Sequence, residues 1–266
     1  MSITAVAIDL DGTLLTTDKL IGKYTLDVLH QLMEQHISIH IATGRSVASS
    51  ERFREMIETT DPMVCYNGGV IWDPVAKKDL YHVRIDEEIC EELVRISYNT
   101  KSFFHAYKDH DLYFDERARY ADRVERLSSL VGKSVNFQKQ TFYGFSKAVF
   151  IGEPSETQKI KEYLQERFGN NIRMLYPFDD YLEIMSYDAT KGDALRYLAT
   201  LTNKEAHNFA AFGDELNDVE MLKWAGKSYG MKNGHPEAII HAKEIIGTND
   251  NDAVGKTLAR LFSLSV

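Results

Sequence analysis

Two aspartates separated by one residue follow an apolar run near the start of the chain. Residues 4–8, Thr-Ala-Val-Ala-Ile, precede Asp-Leu-Asp-Gly-Thr at positions 9–13, a pattern typical of a buried parallel strand that ends in a charged turn. Because side chains alternate along a strand, the spacing predicts that Asp9 and Asp11 begin on the same face. Two adjacent carboxylates are costly unless a cation lies between them or one is protonated, so the pair indicates chemistry.

A turn without chemistry explains the same residues, because Asp and Gly both suit turn conformations. A calcium loop of the helix-loop-helix kind is excluded. It would need Gly at its sixth position and Glu at its twelfth, whereas counting from Asp9 these positions are Leu14 and Leu20.

A hydroxyl, a glycine and a cation follow the second predicted strand, residues 37–42. Thr43, Gly44 and Arg45 stand where this strand gives way to a predicted helix over 47–58. Unpaired amides at a helix N-terminus attract anions, so the position suits a phosphate. A plain helix cap is the other interpretation of Thr43.

Three later positions carry similar ambiguity. Asn67 follows a third predicted strand and begins an Asn-Gly turn. Lys191 lies near the start of a predicted helix, where a cation opposes the helix dipole; it is either functional or a tolerated surface lysine. After a fourth predicted strand, 208–212, the sequence Gly-Asp-Glu-Leu-Asn-Asp spans 213–218, and acidic residues in a first helical turn are favourable in any case.

In this order the four motifs resemble those of the haloacid dehalogenase-like (HAD) hydrolases, and the chain is similar to their Cof-like phosphatase branch. The resemblance implies that Asp9 is a nucleophile that is transiently phosphorylated and that Asp11 is the general acid and base. It further implies that Thr43 binds the transferred phosphoryl group and that Lys191 neutralises charge on the nucleophile and the phosphoryl oxygens. Phosphate or substrate contacts are also expected from Gly44, Arg45, Asn67 and Asn217, with Lys191 as another partner for Asn217.

The same resemblance implies a magnesium site. Asp214 would be a direct ligand and Asp218 a direct or water-bridged one, with the Asp9 carboxylate and the Asp11 backbone carbonyl completing the protein ligands. Neither Gly-x-Gly-x-x-Gly after the first strand nor a Walker-type glycine loop is present, so neither a dinucleotide nor a nucleoside triphosphate fold is indicated.

The order of predicted elements indicates an α/β fold: a Rossmann-like, doubly wound, mostly parallel sheet with an inserted α+β cap domain. We predict a catalytic core at 1–83 and 188–266 and the cap at 84–187, which includes a helix over 116–130. If the first strand lies between the second and fourth, Asp9, Thr43 and Asp214 meet at one edge. Residues 228–231 and 244–247 are predicted edge strands. The resemblance implies that the cap is a lid that closes over the substrate and excludes water. Five residues are candidates for substrate specificity, although most of them are equally explained as ordinary solvated residues: Arg45, His110, Tyr113, Asp180 and Glu183.

The composition is that of an ordinary globular enzyme. The 266 residues are 44% hydrophobic and 27% charged, with a net charge of −9, which argues against a nucleic-acid or anionic-membrane surface. Only Cys65 and Cys90 occur, so a disulfide framework or cysteine metal site is not expected. No signal peptide or membrane span is recognised, and no obligate protein partner is indicated; we predict a cytoplasmic location.

These observations favour a Mg²⁺-dependent phosphomonoesterase that acts on small phosphorylated metabolites, sugar phosphates or similar, through a phospho-aspartyl intermediate. A sugar phosphomutase that uses the same residues is the alternative. A non-catalytic sensor of a phosphorylated ligand is a third hypothesis, and it would predict a missing nucleophile, acid or lysine, all of which are present.

Overall fold

The computed structural model describes residues 2–115, 120–139 and 143–264. The chain divides into two compact units. The core unit comprises Met1–Arg45, Ser50–Tyr81 and Thr190–Val266, and the inserted unit comprises Ser46–Ser49 and His82–Ala189. The domain bounds predicted from the sequence, with the cap at 84–187, stay a prediction.

The described strands and helices alternate along much of the chain. The strands are β1 (Ala5–Ile8), β2 (Ser38–Ile41), β3 (Met63–Cys65), β4 (Val70–Asp73), β5 (Lys78–His82), β6 (Phe103–Lys108), β7 (Asp111–Phe114), β8 (Lys133–Ser134), β9 (Lys147–Ile151), β10 (Ile172–Phe178), β11 (Tyr181–Ser186), β12 (Phe209–Gly213), β13 (Lys227–Met231) and β14 (Glu244–Ile246). The helices are α1 (Lys23–Glu34), α2 (Val47–Ile57), α3 (Glu87–Asn99), α4 (Ala121–Ser128), α5 (Pro154–Phe168), α6 (Lys191–Leu201), α7 (Val219–Trp224), α8 (Pro236–Ile239) and α9 (Ala253–Phe262).

A parallel sheet with strand order β14-β13-β12-β1-β2 forms the centre of the core unit. All four residues of β1 are buried, as expected of a parallel strand covered on both faces. The prediction that β1 lies between β2 and β12 is confirmed. The prediction of two edge strands is wrong for β13, which lies between β12 and β14 and is buried after Lys227.

Helices cover this sheet and give the doubly wound arrangement that the sequence predicts. Buried side chains of α6, among them Leu195 and Leu198, pack with Phe209 of β12 and Met221 of α7. Helices α1 and α9 pack against each other, and the sequence analysis did not predict α9. Their approach is close at Gly255, where a Cβ would lie 2.7 Å from the Thr25 hydroxyl oxygen.

A short antiparallel sheet, β3-β4-β5, adjoins the parallel one. A parallel bridge between Ala42 and Val64 links the end of β2 to β3, which brings the Asn67 turn after β3 next to Thr43. Strands β4 and β5 are neighbours in this sheet.

The inserted unit has the α+β organisation that the sequence predicts. Its sheet has the order β10-β11-β9-β6-β7-β8, antiparallel except for the β7–β8 pair. One cluster of buried side chains joins α3 and α5 to the sheet, including Leu93, Leu164, Phe104, Phe150 and Leu182. The predicted helix over 116–130 is observed as α4, while 116–119 lie outside the described residues.

None of the helices described here combines the length and apolar character needed to cross a membrane.

Candidate active site

Three of the predicted site residues follow the carboxyl ends of neighbouring parallel strands. Asp9 comes directly after β1, Thr43 two residues after β2 and Asp214 directly after β12. The chain leaves β1 toward β2 on one side and later returns through β12 on the other, so strand order reverses here. Such a switch point is where open α/β sheets bind ligands. All three side chains are buried.

Lys191 is the first residue of α6 and is fully buried. Its Nζ donates one hydrogen bond to Asp9 Oδ1 and one to Asp218 Oδ1, each 2.6 Å long. A cation at a helix N-terminus opposes the dipole, and burial adds a desolvation cost, so two carboxylate partners are needed to offset both. Burial lowers the pKa of Lys191, but the charges of Asp218 and Asp9 raise it by more, and the lysine is held protonated.

Asp218 connects the lysine to the loop after β12. Its Oδ2 accepts hydrogen bonds from the backbone N–H groups of Asp214 (2.9 Å) and Glu215 (3.1 Å), while Oδ1 accepts from Lys191. The loop passes so close to this side chain that a Cβ on Gly213 would lie 2.6 Å from Asp218 Cβ. The Asp218 carboxylate therefore holds the 213–218 loop in place and also binds Lys191, the candidate catalytic lysine.

The turn after β1 fixes Asp214. Thr13 Oγ1 donates a hydrogen bond to Asp214 Oδ1 at 2.8 Å. Gly12 adopts φ +81°, and a Cβ there would lie 2.2 Å from Asp214 Oδ2, so only glycine fits both the backbone and the space. The sequence analysis missed Gly12 and Thr13 as site residues, although both lie within the first motif.

Carboxylate oxygens of Asp9, Asp214 and Asp218 lie within 4.8 Å of one another. Burial raises the pKa of Asp9 well above 3.8, and Asp218 and Asp214 add to the rise although Lys191 opposes it. Burial and the charge of Asp218 raise the pKa of Asp214 to about 7. Three buried acids against one lysine leave excess negative charge, and an all-oxygen donor set suits a hard divalent cation. The residues therefore fit a magnesium ion.

The Asp11 carboxylate is not part of this cluster, and its expected position on the same face as Asp9 stays a prediction. Strand β1 ends at Ile8, so the alternation that the prediction used stops before Asp11, which lies in the turn. Arg45 Nε and Nη2 donate to its two oxygens at 2.6 and 2.7 Å, and Lys19 Nζ donates to Oδ1 at 2.8 Å. Partial burial raises the pKa of Asp11, but Arg45 and Lys19 outweigh it and lower the pKa to about 2. Coordination by the Asp11 backbone carbonyl stays a prediction.

The Thr43 loop and the Asn67 turn interlock. The Thr43 carbonyl accepts from the Asn67 N–H at 3.0 Å, and Thr43 Oγ1 accepts from the Arg45 N–H at 3.2 Å. A Cβ on Gly44 would lie 2.7 Å from Asn67 Oδ1. Gly44 is therefore required for this close approach.

Asn217 binds Asn67 rather than Lys191, which corrects one of the two expectations for it. Its Nδ2 donates to Asn67 Oδ1 at 2.7 Å. Asn217 Oδ1 is shielded from solvent and has no hydrogen-bond partner among the described residues. Asn67 itself adopts φ +56°, a conformation that asparagine tolerates better than most residues. The expected contacts of Asn217 and Asn67 with phosphate stay predictions.

The four candidate specificity positions of the inserted unit have partners there. Arg123 binds Asp180 through both guanidinium arms, Tyr113 donates to Asp111, and the rings of His110 and His82 stack. Glu183 is buried and accepts from the buried Lys147 at 2.7 Å. The interpretation as an ordinary solvated residue is therefore wrong for Glu183.

Comparison with known proteins gives consistent results over the whole chain. A family model described as haloacid dehalogenase-like hydrolase matches residues 6–258. A Haemophilus influenzae protein named "Putative phosphatase" is 31% identical, covering 98% of this chain and 97% of its own. The 5-amino-6-(5-phospho-D-ribitylamino)uracil phosphatase YitU of Bacillus subtilis is 29% identical, covering 97% of both chains.

The fold is likewise that of a solved relative. The crystal structure of a haloacid dehalogenase-like hydrolase from Bacteroides thetaiotaomicron superimposes with a TM-score of 0.89 at 22% identity, covering 98% of this chain and all of that one. Both the family match and the fold agree with the motifs at the ends of β1, β2 and β12. The chain belongs to the haloacid dehalogenase-like hydrolases, in their Cof-like branch.

Proposed function

We propose that this protein is a Mg²⁺-dependent phosphomonoesterase that hydrolyses small phosphorylated metabolites, sugar phosphates or similar, with Asp9 as nucleophile. The observation that carries the proposal is the bond pattern of Lys191, which is fully buried and bridges Asp9 and Asp218 at the carboxyl edge of the sheet. A buried lysine hydrogen-bonded to the attacking carboxylate orients it and offsets the negative charge that a phosphate brings.

In the first step an Asp9 oxygen forms a bond to phosphorus while the bond from phosphorus to the ester oxygen breaks. Asp11, as a carboxylic acid, gives its proton to that ester oxygen, and the alcohol leaves. Thr43 and the backbone N–H groups that follow it hold the phosphoryl oxygens, and Lys191 neutralises part of their charge.

In the second step the Asp11 carboxylate takes a proton from water as the water oxygen bonds to phosphorus. The bond between phosphorus and Asp9 breaks, which releases inorganic phosphate and restores both carboxyl groups. Asp9, Asp214 and Asp218 would hold Mg²⁺, with the Asp11 carbonyl as a further ligand, and the ion would supply electrostatic stabilisation of the phosphoryl oxygens.

The proposed substrate class is supported by the names of related proteins rather than by the geometry of the candidate active site. The Bacillus subtilis relative is named as a phosphatase of a phosphorylated ribitylaminouracil, which is a small phosphate ester. We propose that residues 84–187, the predicted cap, select the alcohol portion of the substrate. We also propose a cytoplasmic location.

The test is Asp9→Asn, assayed for phosphate release from an aryl phosphate with Mg²⁺. Loss of the nucleophile should lower turnover by at least about 10³-fold. Asp27→Asn is the matched control, because Asp27 is a half-exposed carboxylate bound only to Lys23 within the described chain, and its turnover should equal wild type. Substantial activity of Asp9→Asn contradicts the covalent mechanism.

A panel of phosphorylated metabolites then identifies the reaction and the substrate. Release of inorganic phosphate is expected for a phosphatase. Isomerised sugar phosphate without phosphate release would indicate a phosphomutase instead, and absence of both with every ester of the panel would indicate a non-catalytic protein.

A further inference from the structure

Arg45 makes a forked contact with the proposed general acid. Its Nε donates to Asp11 Oδ2 at 2.6 Å and its Nη2 to Asp11 Oδ1 at 2.7 Å. A planar guanidinium that meets a carboxylate through two parallel bonds fixes the plane of that carboxylate as well as its position. The Asp11 side chain remains 41% exposed, so little besides these bonds restrains its rotation.

The position of Arg45 is itself fixed at three points. Its N–H donates to Thr43 Oγ1 at 3.2 Å, and its carbonyl accepts from the Tyr66 N–H at 2.9 Å. The guanidinium carbon lies 5.1 Å from the centre of the Phe53 ring, within the range of a cation–π contact. Arg45 is therefore held by the Thr43 hydroxyl, by the backbone N–H of Tyr66 and by a ring of α2.

Lys19 is a weaker partner of the same carboxylate. Its Nζ donates to Asp11 Oδ1 at 2.8 Å, the oxygen that Arg45 Nη2 also binds, but its side chain is 51% exposed. An exposed ammonium contributes little and exchanges readily with water. Asp11 can therefore exchange its bond with Lys19 for one with an ester oxygen, while the two bonds from Arg45 keep the Asp11 carboxylate oriented.

We infer that Arg45 is a positioning residue that orients Asp11 toward the leaving-group oxygen, rather than a residue whose main role is to bind the transferred phosphate. This inference rests on the proposed function. A general acid must lie within hydrogen-bond reach of the ester oxygen at the moment that the phosphorus–oxygen bond breaks. Arg45 would act on that step through Asp11, because its Nε and Nη2 both donate to that carboxylate.

The discriminating measurement compares two kinds of leaving group. An aryl phosphate releases a stabilised phenolate that needs little protonation, whereas an alkyl phosphate releases an alcohol that needs it. For Arg45→Gln we expect kcat/KM, which reports formation of the phospho-aspartate and not its hydrolysis, to fall about 10²-fold on the best alkyl phosphate of the panel. On the aryl phosphate kcat/KM should fall much less, and KM should not rise for either ester. Arg45→Lys keeps the charge without the fork and should recover only part of the loss.

Arg52→Gln is the matched control. Its guanidinium carbon lies 4.4 Å from the centre of the same Phe53 ring, and within the described residues it has no bond to Asp11. It should retain wild-type kcat/KM for both esters. Thermal unfolding of each variant identifies any that fails to fold, in which case Arg45→Lys carries the comparison.

A double-mutant cycle provides the second readout. Asp11→Asn should show the same preference for the aryl ester, and adding Arg45→Gln should cost nothing more on the alkyl ester, because the two residues act as one unit. An equal rise of KM for both esters in Arg45→Gln, or an additive loss in the double variant, overturns the inference and makes Arg45 a phosphate ligand. A wild-type protein without phosphatase activity, or an active Asp9→Asn, overturns the proposed function instead.

Discussion

Replacing Lys191 by Met removes the cation that two buried carboxylates share. Lys191 is fully buried, and each of its bonds to Asp9 and Asp218 is 2.6 Å long. Removal of one partner from a buried ion pair typically costs about 3–5 kcal/mol, which corresponds to a fall in Tm of about 6–20 °C for a domain of this size. We therefore expect Lys191→Met, freed of divalent ions with EDTA, to lose stability by this amount near neutral pH.

The loss should grow with pH. The charge of Lys191 lowers the pKa of Asp9 and of Asp214, so without the lysine both acids keep their protons more strongly. Already in the wild type the pKa of Asp214 is raised to about 7. A carboxyl group whose pKa is higher in the folded than in the unfolded chain, where it is about 4, binds more protons when folded, so stability falls as pH rises between the two values. The deficit of Lys191→Met should therefore be smaller near pH 5 than near pH 8.

The same argument predicts a rescue by Mg²⁺. A divalent cation replaces the missing positive charge, so its addition should raise the Tm of Lys191→Met more than that of wild type. Lys147→Met is the matched control, since Lys147 is also buried and pairs with Glu183 at 2.7 Å in the inserted unit. It should lose stability that Mg²⁺ does not restore. Wild-type stability of Lys191→Met in EDTA near pH 8, or equal Mg²⁺ effects in both variants, would refute the reasoning.

Two further predictions concern the turn after β1 and the buried histidine of the inserted unit. Gly12→Ala places a methyl group against Asp214 on a backbone with φ +81°, so the Mg²⁺ dependence of turnover should shift to at least about 10-fold higher concentration; Gly169→Ala, at φ +49° with nothing within 4 Å, should leave it unchanged, and equal effects would argue against the clash. Burial, and secondarily Lys147, hold the pKa of His105 well below 6.5; the unfolded chain then binds more protons, so stability is lost as pH falls through the unfolded value, by at most about 1.4 kcal/mol per pH unit. Urea unfolding of wild type and His105→Phe at about pH 7.5 and about pH 5.5 measures this, and an unchanged pH dependence in the variant would contradict it.

The sequence predicted that Asp9, Thr43 and Asp214 follow the carboxyl ends of neighbouring strands because the signals there are local. An apolar run followed by polar residues predicts a strand end, and the alternation of strands with helices predicts that parallel strand ends meet. The sequence left Lys191 as either a functional residue or a tolerated surface lysine at a helix start, and its complete burial excludes the surface interpretation.

What the sequence did not predict depends on contacts between distant segments. The bond from Thr13 to Asp214 joins residues 201 positions apart, and no local pattern specifies it. The Asp11 contact with Arg45 was not predicted because it joins residues 34 positions apart. Strand β8 has two exposed residues, too few for a periodic pattern.

The most direct test of the account is the site of phosphorylation during turnover. The Mg²⁺-loaded protein is mixed with an aryl phosphate, quenched in acid within the first turnover, digested and analysed by mass spectrometry. The account predicts one phosphoryl group on the peptide that contains Asp9, absent from Asp9→Asn. A phosphoryl group on any other residue would contradict it. So would turnover without any phosphorylated peptide under conditions in which hydrolysis of a phosphorylated enzyme is slower than its formation.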